Sequence, residues 1–207
     1  MSKKRVAVLI SGRGSNMSAL IKAAQARDYP AEIALVVSNI PDAGGLERAR
    51  EAAIATAVID HRSFGEDREA FERALDEELR KYRIEIVCLA GFMRLLTAWF
   101  IGRWSGRILN IHPALLPDFK GLHTHRRALQ AGAKRHGATV HFVVEETDAG
   151  PVISQQSVAV LQGDTEETLA ARVLEVEHRI YPEALRLVAE GRAKFPKPQA
   201  EIKNPRV

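Results

Sequence analysis

Apolar residues along this chain follow two rhythms. Arg5–Ile10, Ile33–Val37, Thr56–Ile59 and Ile84–Leu89 are short apolar runs rich in β-branched side chains, the pattern of strands covered on both faces. Between them the spacing turns helical: Met17, Leu20, Ile21 and Ala24, then a short stretch at Leu46–Ala53. Phe71, Leu75, Leu79 and Tyr82 share one face of a helix over Gly65–Tyr82. A short helix is expected near Thr97–Ile101. The strand that follows runs through Ile108 and Leu109 and ends at Asn110-Ile111-His112-Pro113. Thr124–Ala133 reads as a helix N-capped by Thr124. Thr139–Val144 and Val152–Val160 read as strands paired antiparallel across an acidic turn. Asp164, with Glu167 three residues on, marks the start of a long helix whose apolar face is Leu169, Val173, Val176, Ile180, Ala184 and Leu187. Pro182 should kink or interrupt it.

The alternation of strand and helix predicts an α/β fold. It is a single domain over residues 1–192, with a mostly parallel twisted sheet, helices on both faces and an antiparallel strand toward the C-terminal part. Residues 193–207 carry three prolines and little apolar pattern, and a loose tail is expected there.

Composition narrows the class. Of 207 residues, 46% are hydrophobic and 27% charged, ordinary values for a soluble globular domain. The net charge of +4 would attract anionic substrates or simply reflect a solvated surface. No basic run with interleaved aromatics occurs, so no nucleic-acid partner is expected. The single cysteine, Cys88, excludes a disulfide framework; in its apolar run it reads as a small core residue or a lone thiol. The apolar stretch after Met1–Arg5 is too short for a signal peptide or a membrane span, so a cytoplasmic protein with no membrane partner is expected.

Two stretches carry candidate chemistry. Ser11-Gly12-Arg13-Gly14-Ser15-Asn16 joins a strand to a helix. Ser15 or Asn16 can cap that helix, and free N–H groups at its positive end favour a phosphate, with glycines letting the backbone approach. The loop is neither a dinucleotide fingerprint nor a P-loop, so it is an anion site or a plain turn. In the second stretch, alternation puts Asn110 and His112 on one side of their strand, and Pro113 forces the chain out of the sheet. Ligands of open α/β sheets collect at such strand ends. If Asp148 folds back beside His112, its charge favours the imidazolium and raises that pKa. Asn110 and His112 then supply two donors to an oxygen that becomes negative, as acyl transfer needs. No activated Ser or Cys stands nearby, which argues for direct attack by a substrate nucleophile. His141 reads as a satisfied core histidine. His123-Thr124-His125 is too weak a pattern for a metal. Arg68, in the first turn of its helix, is unfavourable against the dipole without an anionic partner, or merely exposed. Phe92, Met93 and Leu96 could wall a flat-ring pocket or belong to the core.

Six motifs, in order, carry a likeness: Ser11-Gly12-x-Gly14-Ser15-Asn16, Gly91-Phe92-Met93-Arg94, Asn110 to Pro117, Gly121-Leu122-His123-Thr124-His125, Asp148-x-Gly150-Pro151 and Glu177-His178-x-Ile180-Tyr181-Pro182. Together they resemble the phosphoribosylglycinamide formyltransferase family, the folate-dependent glycinamide ribonucleotide transformylases of purine synthesis. The resemblance spans roughly Lys4 to Arg192 and implies a formyltransferase-like fold. It implies transfer of the formyl group of 10-formyltetrahydrofolate, as cosubstrate, to the amine of glycinamide ribonucleotide, without a metal. Asn110, His112 and Asp148 would be catalytic. Gly14, Ser15 and Asn16 would take the ribonucleotide phosphate and Glu177 its ribose. Arg68, Met93, Arg94, Leu95, Leu96, Asn110, Val144, Glu145, Glu146, Thr147 and Asp148 would bind the folate. The partners implied are these small molecules, with the protein a monomer or homodimer. Arg13 is an uncommon residue at the variable loop position. Two relatives share the formyl-folate domain. Methionyl-tRNA formyltransferase lacks this phosphate loop and adds a tRNA domain for which the chain is expected to be too short. A formyltetrahydrofolate hydrolase lacking its regulatory domain is the enzymatic rival.

Overall fold

The computed structural model describes residues 2–196. Seven strands form one sheet in the order β3-β2-β1-β4-β5-β6-β7. They are β1 (Lys4–Ile10), β2 (Ala31–Ser38), β3 (Thr56–Val58), β4 (Ile86–Leu89), β5 (Ile108–His112), β6 (Arg135–Phe142) and β7 (Val152–Ala159). The first five are parallel to one another. β6 alone runs against the rest, antiparallel to both β5 and β7. The single-domain α/β architecture matches the expectation from the hydrophobic pattern.

The alternation within β1 shows why the apolar runs are unbroken. Val6, Val8 and Ile10 enter one core, and Ala7 and Leu9 the other. On the first face lie α1 (Ser15–Ala24), α2 (Gly44–Glu51) and α6 (Glu166–Ala189), contributing Met17, Leu46, Val173 and Tyr181. On the second lie α3 (Arg68–Lys81) and α4 (Ala98–Arg103), contributing Phe71, Leu75, Leu79 and Phe100. Buried polar groups on this second face are paired. Glu72 accepts from the Thr97 N–H at 2.7 Å, and Trp104 Nε1 donates to Asp76 at 2.9 Å. No helix among the described residues is long and apolar enough to cross a membrane.

Helix starts differ from the expected ones. Gly14, in the left-handed region at φ 71°, caps α1, and neither Ser15 nor Asn16 does so. His123, at φ 57°, caps α5 (Thr124–Gln130), while the Thr124 hydroxyl donates instead to the Pro113 carbonyl at 2.7 Å. In α6 the reciprocal capping pair is Thr165 with Thr168, not Asp164 with Glu167; Asp164 is held by Arg172 at 2.7 Å. Pro182 lies inside α6 without ending it, because Ile180, Tyr181, Ala184 and Leu185 are buried on either side of it. Between β3 and α3, His61–Phe64 forms a 3-10 turn. β6 begins at Arg135, earlier than its apolar run suggests. Beyond α6, Phe195 packs edge-on against Phe142, ring centroids 5.5 Å apart. The rest of the expected loose tail, 197–207, lies outside the described residues.

Candidate active site

The strand order reverses between β1 and β4, and ligands of open α/β sheets gather beyond the carboxyl ends of strands at such a point. The loops after β1, β4 and β5 converge there. Gly14 opens α1 with no side-chain cap, and α2 begins after Ala43, also without one. Gly45 N donates to Gly12 O at 2.9 Å, so two uncapped helix starts meet at the Gly12–Gly14 turn. The first N–H groups of α1 and the dipoles of both helices favour an anion there; in α2 the Gly45 and Leu46 N–H groups are already paired. A Cβ on Gly14 would lie 3.0 Å from Gly45 Cα; glycine is needed both for φ and for this approach. Asn16 Nδ2 donates to Glu177 Oε2 at 3.0 Å, which joins the loop to α6 across the fold. Burial raises the Glu177 pKa, and the Asn16 contact opposes this. Glu177 is fixed from the next turn of α6, where the Tyr181 hydroxyl reaches the carbonyls of Leu89 and Leu109 at 2.9 and 3.2 Å. Gly14, Ser15, Asn16 and Glu177 are thus brought together.

At the end of β5, the antiparallel register sets Asn110 opposite His141 and His112 opposite Thr139. Asn110 and His112 share a face, as alternation predicts, and His141 joins them. His141 Nδ1 lies 2.8 Å from the Phe142 carbonyl and Nε2 lies 3.3 Å from Asn110 Nδ2. The Phe142 carbonyl holds the ring in place, so that Nε2 sits beside the Asn110 carboxamide and positions it. One amide N–H of Asn110 has no partner among the described residues. This histidine was missed by sequence reasoning. A buried His on an apolar strand looks structural, and only the pairing of β5 with β6 reveals its neighbour.

Asp148 does fold back onto His112. Its Oδ2 lies 3.4 Å from His112 Nδ1 and accepts from the Gly121 N–H at 2.9 Å. Its Oδ1 lies 3.6 Å from His141 Nε2. Gly150 permits this return, since a Cβ there would sit 1.7 Å from the Phe142 carbonyl oxygen. Burial pushes the Asp148 carboxyl up, but the His141 and His112 rings and the Gly121 N–H outweigh it and the net shift is downward. For His112 the balance goes the other way. Burial is the largest effect and pulls the ring below its ordinary pKa; the Phe119 carbonyl and Asp148 pull upward without prevailing. This corrects the expected upward shift: desolvation beats a carboxylate at this distance. The His112 Nε2–H faces the Phe119 carbonyl at 3.0 Å, an oxygen acceptor where a reacting oxygen could bind. Such a pair of donors suits a developing oxyanion.

The expected folate residues fall in two groups. In the first, Arg68 donates to the Leu95 carbonyl, so it pins the loop after β4, where Met93 and Leu95 are exposed and Arg94 and Leu96 half-buried. In the second, Val144, Glu145 and Glu146 border a cleft of about 390 Å³ against Ile101, Gly102 and Phe195. Thr147 is exposed in the turn before Asp148. Lys120 pairs with Glu146 at 2.8 Å, joining the loop after β5 to this segment. Met93–Leu96 do not line that cleft.

Other candidates take no part. No group of His, Cys, Asp and Glu among the described residues could hold a metal. His125 stacks edge-on with His136, centroids 5.2 Å apart. Burial pushes the Cys88 thiol up to about 12, which suits a core residue.

Residues 4–185 match the formyl transferase family. The chain is 48% identical over 190 residues to the phosphoribosylglycinamide formyltransferase of Escherichia coli, covering 92% of this chain and 89% of that one. It is 52% identical to part of the trifunctional purine biosynthetic protein adenosine-3 of Gallus gallus, covering 92% of this chain and 19% of that protein. It thus spans about a fifth of the length of the trifunctional relatives. The structure is similar to the crystal structure of phosphoribosylglycinamide formyltransferase from Brucella melitensis, with a TM-score of 0.88 and 54% identity over 94% of this chain and all of that one.

Proposed function

The chain belongs to the formyl transferase family, and from that premise we propose that it transfers the formyl group of 10-formyltetrahydrofolate to the amine of glycinamide ribonucleotide. The observation that carries this reading is the convergence of Asn110, His112 and Asp148 at one strand end, with Asp148 3.4 Å from the His112 ring. The uncapped helix starts at Gly12–Gly14 support a phosphate site, and Glu177 beside Asn16 supports a neighbouring ribose site. Arg68, Met93–Leu96 and Val144–Asp148 are assigned to the folate.

In the proposed reaction the amine nitrogen attacks the formyl carbon. A C–N bond forms, and the carbonyl π pair moves onto oxygen. An amide N–H of Asn110 and the His112 N–H receive that oxyanion. His112 exchanges the Phe119 carbonyl for the substrate oxygen and carries a proton as the charge develops. Once bonded to carbon the nitrogen is cationic; it passes a proton through water to the Asp148–His112 pair, and Asp148 stabilises the resulting imidazolium. The oxyanion pair then re-forms the C=O bond, the bond from carbon to the folate nitrogen breaks, and that nitrogen leaves with the bonding pair and takes the proton from His112. No residue need form a covalent intermediate, and no metal is required.

Following tetrahydrofolate release with and without glycinamide ribonucleotide tests the proposal. Release that depends on the ribonucleotide supports transfer. Equal release in its absence would replace this reading with formyltetrahydrofolate hydrolysis.

A further inference from the structure

Ser11 heads the glycine-rich loop, yet the chemistry above gives it no task. Its side chain is nevertheless the most connected group between the two substrate loops. Ser11 Oγ donates to Asn39 Oδ1 at 2.6 Å and accepts from the Met93 N–H at 2.8 Å. Ser11 N donates to the Gly91 carbonyl at 3.1 Å. Asn39 is buried, and its amide is held from the other side by His61, whose Nδ1 lies 3.1 Å from Asn39 Nδ2 and 3.0 Å from Asn39 O. The Met93 N–H can only donate, so it takes a lone pair of the Ser11 hydroxyl. The hydroxyl proton is therefore directed at Asn39, and its lone pair at Met93.

The arrangement has mechanical content. At a strand-order reversal, the loops after β1 and β4 leave the sheet in different directions. Here Ser11 ties them back together, through its backbone N–H at Gly91 and its hydroxyl at Met93. On one side of it begins the anion loop; on the other, the Gly91–Leu96 segment, whose Met93 and Leu95 side chains are 66% and 65% exposed and contribute little packing to hold it. Beyond the backbone bond at Gly91, two side chains pin that segment's backbone, Ser11 at Met93 N and Arg68 at Leu95 O. An anion that orders Gly12–Ser15 also orders Ser11, and with it the Met93 amide. The second ligand then meets a segment whose ordering cost has already been met.

From this we infer that Ser11 is a positioning residue that couples the two substrate sites: occupancy of the phosphate loop tightens binding at the Met93–Leu96 segment, and the reverse by linkage. The inference rests on the assignment of those loops to ribonucleotide and folate. Its test is a binding cycle. Titration calorimetry measures tetrahydrofolate, which has no formyl group to give, against the protein with and without saturating glycinamide ribonucleotide. One hydrogen bond of ordinary strength predicts a dissociation constant roughly two- to tenfold lower in the presence of the ribonucleotide. Ser11→Ala brings that ratio close to one, and Ser11→Thr, which keeps a hydroxyl, retains it. A role confined to stability would weaken both arms equally and leave the ratio alone. Should Ser11→Ala fail to fold, amide hydrogen exchange on the unmodified protein decides: the ribonucleotide alone must slow exchange at residues 91–96. A ratio of one in the native protein, an unchanged ratio in Ser11→Ala, or unaltered exchange at 91–96 overturns the inference while leaving the loop assignments intact. Failure of either small molecule to bind overturns those assignments, and the inference with them.

Discussion

Replacing Asp148 by Asn removes one charge and little else. The carboxamide keeps an oxygen for the Gly121 N–H, now 2.9 Å away, so the loop retains its anchor. What is lost is attraction to His112 at the moment its ring becomes charged. At the observed 3.4 Å and an effective dielectric of about 20, unit charges attract by about 5 kcal/mol. Spent wholly in the transition state, this corresponds to between three and four decades in rate, roughly 10³–10⁴-fold. The pH profile moves as well. Asp148 acts to raise the His112 pKa against burial, so its removal lowers that pKa further, and the limb on which activity falls with rising pH shifts toward acid. Single-turnover formyl transfer at saturating concentrations of both substrates, followed by tetrahydrofolate formation across pH, measures both effects. A loss of less than tenfold with the limb unmoved would refute the electrostatic role given to Asp148.

Asn110→Ala, which removes one of the two proposed oxyanion donors, should lower kcat by on the order of 10²–10³ while leaving ribonucleotide affinity near normal; comparable kcat values would show that the oxygen binds elsewhere. Gly150→Ala must displace the Phe142 carbonyl, 1.7 Å from the new Cβ, and should cost about 3 kcal/mol in urea denaturation, with catalysis lost as Asp148 shifts. Wild-type stability would mean that the turn relaxes freely. His136 is buried beside Phe119 and His125, and burial first, then its histidine neighbours, pull its pKa from 6.5 to about 4. A depressed histidine binds fewer protons folded than unfolded, so its contribution is full above pH 6.5 and lost as pH falls toward 4, about 3 kcal/mol in all. His136→Phe should flatten unfolding stability against pH in that window; an unchanged slope would assign the acid sensitivity to other groups.

What could be read from the chain depended on how local the cause was. β1 and β4 are buried on both faces, and an unbroken apolar run follows from that alone. The start of β6 was hidden because Gly137 lies where a Cβ would come 2.1 Å from the Gln156 carbonyl of β7; a glycine forced by a neighbouring strand reads as a turn. Helix starts went astray where several Ser, Thr and Asp residues compete for one cap, as at Asp164–Thr168. Asn110 and His112 were legible because two residues of one strand share a face. His141 was not, since its contact with Asn110 depends on strand register across 31 residues. The direction of the His112 shift was misjudged for a related reason: the carboxylate is visible in the sequence, whereas the desolvation that outweighs it belongs to the packed fold.

The reversal of β6 has a consequence for how such a centre can vary. Asn110 and His112 hang on the parallel sheet, while the acid arrives from the far end of a hairpin, on a connection with no crossover helix. Insertions or replacements between Val143 and Thr147 therefore need not disturb the amide and the ring. The segment proposed to meet the folate is free to diverge, and the Asn110–His112 pair on its strand can stay as it is.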